Sequence, residues 1–305
     1  MYYNLKLFGK ELCRIRNNLN FTQKGLSSYT GIHLDTIRRI ETGKTNPNHD
    51  TLELLAIPLK VDLNQLLLNY RLTNYREFNK LQSIIERKLE DGNYEFLQDE
   101  LDKLHTVLAN KSMDTYLLRW LKQLYLLVES VILNINDKNY NESLIKLIEA
   151  IKITTPKFNL NNYHKFVYNT LEIRILMNIA LLLSKIESKD KCLEILLFCL
   201  DALDVDEIEF RIKILFNLSY TYHRLDLHEK SLYYSDIGIT TCISSNSLHG
   251  LALLYTRKGI AEYHLNYEDY EKSLTRAINL HDITGQDILK NILIKSCKNN
   301  YNIDI

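Results

Sequence analysis

Leu34, Asp35, Thr36, Arg38 and Arg39 stand within six residues of one another in LDTIRRIE, with Ile37 and Ile40 recurring at helical spacing between and after them. On a helix this order turns the two isoleucines inward. It leaves an apolar group, a carboxylate, a hydroxyl and two guanidinium groups on the amino-terminal and outward surfaces. Such groups read base edges in a DNA groove: an arginine can bridge two acceptors of guanine, worth about 1–3 kcal/mol of discrimination, and an apolar side chain can meet the thymine methyl. Arg39 is best placed for the first role and Leu34 for the second. Asp35 has two readings. A carboxylate is repelled by phosphate, so it either accepts from a cytosine amino group or caps the helix and pairs with Arg38 or Arg39, and the capping reading comes first.

A groove-reading helix needs rigid support, and the flanking residues supply it. Leu5, Phe8, Leu12 and Ile15 predict an amphipathic helix over 5–18. Thr22 is a natural N-cap for a second helix over 23–29, and Gly31 provides the left-handed residue that lets the third, over 34–41, leave at a steep angle before Gly43 stops it. TLELLAIPLKVDLNQLLL predicts a fourth helix from Thr51 to Ala56 or Leu59 and a fifth from Leu63 to Leu68. Leu52, Leu55, Leu59, Val61, Leu63 and Leu66 close the core, and Pro58 is placed to end the fourth helix a turn early.

This segment resembles, along its whole length, the Xre or lambda-repressor type of helix-turn-helix. TQKGLSSYTGI, TIRRIETGKTNP and the Leu-rich closing helices match that pattern in order. The resemblance implies a five-helix DNA-binding domain over residues 1–68. It implies that Gln23 contacts phosphate or a base, that His33, Leu34, Asp35, Thr36 and Arg39 face base edges or the adjacent backbone, and that Arg38, Lys44 and Asn46 touch phosphates of double-stranded operator DNA. Glu41 falls at the buried end of the third helix, where this fold commonly keeps an acid to pair with a basic residue of the first helix, here Arg14 or Arg16.

The remainder repeats itself. NYNESL, LHEKSL and DYEKSL, with KDKCLEIL, place Leu144, Leu193, Leu232 and Leu274 at one repeat position, each unit preceded by a long amphipathic helix. Ala180, Ser219 and Gly259 are small residues in the middle of those first helices, where two helices must approach closely. Units of about 40 residues built as helical hairpins look like a divergent tetratricopeptide array over 72–305, in which about five hairpins form a right-handed α-solenoid with a concave surface. Aligned through the small residue, Asn178, Asn217 and Arg257 occupy one register. The two amides can serve a peptide backbone as a neighbouring strand would, and Arg174 and Lys213, four residues earlier on the same face, can meet a ligand's C-terminal carboxylate.

Composition bounds the rest. With nine Gly and three Pro in 305 residues, and no net charge from 38 basic and 38 acidic side chains, the chain is expected to be all-α and no polycation. Residues 1–70 nevertheless carry nine Lys or Arg against six acids, a mildly basic head on a mildly acidic body. Five scattered cysteines without a CxxC pair suit a reducing compartment, and no apolar run approaches a membrane span. Nine histidines form no HExxH, and His223 and His228, flanking one turn, are expected as loop or surface residues. No metal, no cofactor and no enzyme are therefore expected, since phosphate loops and nucleophile elbows are also absent from the sequence.

A lambda-repressor-type head followed at once by a degenerate tetratricopeptide body resembles the RRNPP group of Gram-positive regulators, of the PlcR, PrgX and Rgg type. The resemblance implies a cytoplasmic homodimer that binds operator DNA and is controlled by a short signalling peptide in the groove of its repeats, as in quorum sensing. The alternative is a body that holds a protein partner, an antirepressor or phosphorelay component, rather than a peptide.

Overall fold

The computed structural model describes residues 3–70, 75–90, 94, 97–109, 115–204, 206–303 and 305, with 75–79, 90 and 116 described by backbone alone. Among these residues α-helices follow one another without a strand, so the fold is all-α. The chain divides into two compact units, Met1–Ile84 with Asn110–Leu118 and Ile85–Ala109 with Arg119–Ile305. Residues 71–74, where the expected domain boundary falls, lie outside those described. No helix among the described residues is long and apolar enough to cross a membrane.

The first unit opens with α1 Leu5–Asn18, α2 Gln23–Thr30, α3 Leu34–Glu41, α4 His49–Leu59 and α5 Leu63–Asn69. Their boundaries follow local chemistry. The Thr22 hydroxyl accepts from the Gly25 N–H at 2.9 Å, and Gly31 and Gly43 stand at φ 72° and 69°. Phe8, Leu12, Leu26, Ile37, Ile40 and Leu55 are fully buried in one core. Two expectations change. Asn48 caps α4 by accepting from Thr51 N–H at 2.9 Å, so the helix begins before Thr51, and it runs through Pro58 to Leu59. Proline removes only one hydrogen bond there, and the helix stops one residue later at Lys60, φ 55°. Leu67 is buried at the end of the core, whereas Val61 and Leu66 are partly buried.

The chain continues with α6 Tyr75–Glu90, α7 Leu97–Leu108, α8 Thr115–Asn136 and α9 Tyr140–Lys152. Then come α10 Thr170–Ile186, α11 Lys189–Ala202, α12 Ile208–His223, α13 His228–Ser244, α14 Leu251–His264, α15 Tyr270–Thr284 and a closing α16 Asp287–Tyr301. Connector 153–169 carries Phe158, Tyr163 and Tyr168 into the core, which explains the longest repeat interval, between Leu144 and Leu193.

Each hairpin crosses at small buried residues. Ser130 and Ser143 exchange hydroxyl-to-carbonyl hydrogen bonds between α8 and α9 at 3.0 and 2.7 Å, and Ser219 donates to the Ser231 carbonyl at 2.8 Å between α12 and α13. Ala180 and Cys192 are fully buried at the corresponding places of α10 and α11. In the last hairpin a Cβ on Gly259 would lie 2.7 Å from Leu274 Cγ and 3.1 Å from the Tyr270 carbonyl oxygen. A larger side chain at these points would separate the helices and expose the leucines beside them.

The first unit has its own close crossing. A Cβ on Gly9 of α1 would sit 2.4 Å from the Glu41 carbonyl oxygen and 2.5 Å from that of Ile40 in α3. Gly9→Ala is therefore expected to destabilise this unit by about 1–3 kcal/mol despite the better helix propensity of alanine, read by denaturant unfolding of the full chain. Gly25→Ala, whose Cβ meets only the Thr22 hydroxyl at 3.1 Å, is expected to change stability by less than about 1 kcal/mol. Equal stability of the Gly9→Ala protein would show that α1 and α3 do not touch there.

Candidate DNA-reading helix and repeat groove

α3 turns Ile37 and Ile40 into the core and leaves Asp35, Arg38 and Arg39 exposed, with Leu34 and Thr36 half-buried beside them. His33, Lys44 and Asn46 are exposed on the flanking turns. Arg39 Nε donates to the Thr45 hydroxyl at 2.9 Å, which orients the guanidinium and leaves its terminal nitrogens for a fork-shaped contact. The capping expected of Asp35 falls to His33, whose Nδ1 accepts from the Asp35 N–H at 3.2 Å. Because α3 begins at Leu34, Asp35 occupies its second position, beside the positive end of the helix. No ion pair joins it to Arg38 or Arg39 among the described residues.

Behind this helix lies a buried charge network. Arg16 of α1 donates from Nε to Glu41 Oε1 at 2.6 Å and from Nη2 to Oε2 at 3.1 Å, while its Nη1 donates to the Phe21 carbonyl at 2.6 Å. Both side chains are under 10% exposed. The basic partner of Glu41 is thus Arg16; Arg14 pairs instead with Glu11 on its own helix at 2.6 Å. Gln23, expected at DNA, donates from Nε2 to Glu41 Oε2 at 2.6 Å. One arm of its amide is committed to the network, and the carbonyl oxygen and second N–H remain.

In the second unit a groove of about 550 Å³ is lined by α10 and α12, with contributions from α8, α14 and α16. Arg174, Asn178, Lys213 and Asn217 all line it. The two asparagines repeat one geometry: each donates from Nδ2 to the carbonyl four residues earlier, Arg174 and Lys213 respectively, at 2.9 Å. Met177, Leu181, Ile212 and Phe216 supply apolar wall between them. Arg257 does not join the lining. Its guanidinium lies over the rings of Phe216 and Tyr220 at 5.8 and 5.2 Å, and burial lowers its basicity.

The carboxylate expected to meet Arg174 and Lys213 is already present. Glu86 of α6 pairs with Arg174 Nη1 and lies 3.7 Å from Lys213 Nζ, and Phe210 packs under both cations at 5.5 and 5.1 Å. Arg174 is almost fully buried, which pulls its guanidinium down to about 9, still cationic at neutral pH. Nothing in the sequence near Glu86 marked it, because its partners lie two and three hairpins further along the chain. Asn134 is held by Lys185 Nζ at 3.0 Å and Asn169 is the N-cap of α10, so neither repeats the Asn178 geometry. His223 departs from expectation as well: it is buried and bonded to Tyr301.

Residues 14–66 match the helix-turn-helix family model. An HTH-type transcriptional regulator of Haemophilus influenzae is 44% identical over 50 residues, 16% of this chain and 51% of that protein, so the chain spans about half the length of the curated relative it matches. Among solved structures, Bacillus thuringiensis PlcR in complex with the peptide PapR7 and DNA has a TM-score of 0.76 at 20% identity, over 95% of this chain and 99% of that one. The chain shares the fold of PlcR. Residues 14–66 carry a helix-turn-helix of the matched family. The SHP pheromone receptor Rgg2 of Streptococcus dysgalactiae has a TM-score of 0.62 at 13% identity, covering 95% of this chain and 98% of that one. ComR of S. thermophilus, with DNA and its signalling peptide ComS, has 0.60 at 12%, covering 94% and 97%.

Removing one partner of a buried ion pair leaves the other charge uncompensated, at a cost of about 3–5 kcal/mol. Glu41→Ala is expected to destabilise the first unit by that order and to weaken DNA binding through displacement of α3, whereas Glu11→Ala, which removes an exposed pair, should change stability by less than about 1 kcal/mol. Thermal unfolding of the two variants measures the difference; equal losses would remove Arg16–Glu41 from its supporting role.

Proposed function

We propose that this protein is a cytoplasmic, homodimeric regulator of the RRNPP type, whose helix-turn-helix units bind paired operator half-sites under the control of a short signalling peptide held in the repeat groove. The observation that carries the reading is the matched pair Asn178 and Asn217 in a groove of about 550 Å³. Beyond the bond to its own helix each amide keeps an acceptor oxygen and a second N–H, that of Asn217 held only by a weak contact with the Met177 sulfur at 3.7 Å, and these are what the C=O and N–H of an extended peptide require. Apolar wall between the amides offers pockets for alternate side chains. The shared fold with PlcR, Rgg2 and ComR supports the same reading.

In this reading Arg39 bridges guanine, Leu34 meets a thymine methyl, and His33 and Thr36 face base edges or the adjacent backbone. Asp35 faces the groove from the first turn of α3. Arg38, Lys44 and Asn46 hold phosphates, and Gln23 contributes its remaining amide atoms. Two heads in a dimer read half-sites one or more helical turns apart, about 34 Å each. Arg257 serves the ligand indirectly, by fixing the aromatic residues Phe216 and Tyr220 of α12.

A ligand shifts an equilibrium only by binding two states differently. A peptide carboxylate that reaches Arg174 and Lys213 displaces Glu86, so ligand binding and anchoring of α6 exclude one another. Since α6 follows the head in the chain, its release is the natural route by which peptide and DNA affinities become linked, and that linkage is reciprocal.

The test uses the full-length protein, duplexes selected from a random pool, and a library of labelled synthetic peptides of six to eight residues. Arg39→Ala should lower affinity for the selected duplex by about tenfold or more while leaving peptide affinity unchanged. Asn217→Ala should weaken the peptide and leave binding to DNA alone intact. Glu86→Gln should tighten a peptide with a free C-terminal carboxylate more than its C-terminal amide. An unchanged peptide response in Asn217→Ala would overturn the groove assignment, and a library without binders beside a retained protein partner would favour the protein-binding reading.

A further inference from the structure

His223, at the carboxyl end of α12, and His228, at the amino end of α13, face one another with their Nδ1 atoms 3.4 Å apart. His264, the last residue of α14, stacks its ring on that of His228 at 4.2 Å and lies 5.3 Å from the ring of His223. One nitrogen from each of the three rings falls within 4.8 Å of the other two. We propose that His223, His228 and His264 bind a divalent transition-metal ion of the zinc, nickel or copper class.

Three features beyond proximity support the assignment. A tetrahedral site with metal–nitrogen bonds of about 2.0–2.1 Å places imidazole nitrogens about 3.3 Å apart, the spacing already held by His223 and His228. The opposite nitrogens of these two rings have outer partners. Nε2 of His223 is 2.9 Å from the Tyr301 hydroxyl, and Nε2 of His228 is 4.0 Å from a carboxylate oxygen of Asp226, whose side chain is exposed and can close that gap. When such partners accept a hydrogen bond from Nε2–H, each ring carries its lone pair on Nδ1, and the two Nδ1 atoms face one another, the arrangement that orients histidine ligands at metals. Finally, the three ligands come from three helices of one unit, so their spacing is set by packing rather than by a flexible segment.

In the metal-free state the contact between the two Nδ1 atoms is a hydrogen bond from one ring to the other. His264 must also turn, because two rings stacked with planes 11° apart cannot both direct in-plane lone pairs at the same ion. His264 is exposed, so that rotation gives up ring contacts with His228, Tyr263 and Tyr301 rather than core packing. A set of three neutral imidazoles, with water in the fourth position, suits borderline metals and not calcium or magnesium, which require oxygen ligands. Arg224 and Arg257 lie near His223 and oppose a dication, which moderates the affinity. A bound ion would tie the ends of α12, α13 and α14 together and, through Tyr301, engage α16.

The experiment is calorimetric titration of the chelator-treated, full-length protein with zinc chloride, repeated with cobalt(II) chloride as an absorbance probe. Other histidines and cysteines bind zinc weakly, so the assignment rests on comparison with His264→Gln and His228→Gln. The wild type should take up one saturable equivalent, melt at a higher temperature with zinc, and give the visible absorption of nitrogen-ligated tetrahedral cobalt. Each variant should lose that equivalent, or bind it about tenfold or more weakly, with metal-free melting unchanged. Absence of a saturable equivalent in the wild type, or its retention unchanged in both variants, would overturn the proposal.

Discussion

The crossing of two helices at a pair of small buried residues is the constraint on which the second unit is built. Ser130 with Ser143, Ala180 with Cys192, Ser219 with Ser231, and Gly259 with Ser273 hold equivalent places in the four hairpins from α8 to α15, and all are buried. Close approach at one point fixes how each first helix is rotated about its axis. That rotation decides which residues face the groove: Asn178 and Asn217 each stand two positions before the small residue, and each returns its amide to the carbonyl four residues earlier. The groove chemistry is therefore a consequence of the packing register. The Ser130, Ser143 and Ser219 hydroxyls donate across the crossing to main-chain carbonyls, and the Ser231 hydroxyl lies 3.1 Å from that of Ser219.

The first unit solves the same problem with one glycine and one ion pair. Gly9 lets α1 lie against the end of α3, and Arg16, two turns further along α1, grips Glu41 and the Phe21 carbonyl at once. A single guanidinium thus fixes the end of α3 and the turn that leads into α2. Gln23 adds the second helix to the same carboxylate. A buried pair of this kind contributes little net stability compared with an apolar core, but its directional bonds set geometry, which is what base reading needs.

Local chemistry was readable along the chain. The extents of α1 and α3, the cap at Thr22 and the left-handed turns at Gly31 and Gly43 depend on residues a few positions apart, and they stand where sequence patterns place them. The repeat, and the close approach at Ser219 and Gly259, was also legible because small residues recur among large ones. What could not be read were pairings between distant segments. Glu86 meets Arg174 and Lys213 only after α6 has been placed against α10 and α12. His264 joins His223 and His228 only once the ends of α12 and α14 are aligned. Arg257 shows a second limit. A shared register fixes where Cα lies, and a short amide stays near it, but a long arginine stem carries its charge across to the aromatic rings of the neighbouring helix.

Arg174 gives the charge cluster of the groove its particular character. A guanidinium that is 4% exposed cannot stand without a negative partner, because an unpaired buried charge costs several kcal/mol. Glu86 meets that demand from α6, and Phe210 covers the flat face of the guanidinium so that only an in-plane carboxylate fits. An anion arriving at the edge of Arg174 that Glu86 holds must therefore exchange with it for want of room, since by charge alone the two cations Arg174 and Lys213 balance two carboxylates. Exchange keeps the buried charge neutralised before and after and returns Glu86 to water. A ligand then moves the population only as far as its differential affinity for the two states carries it.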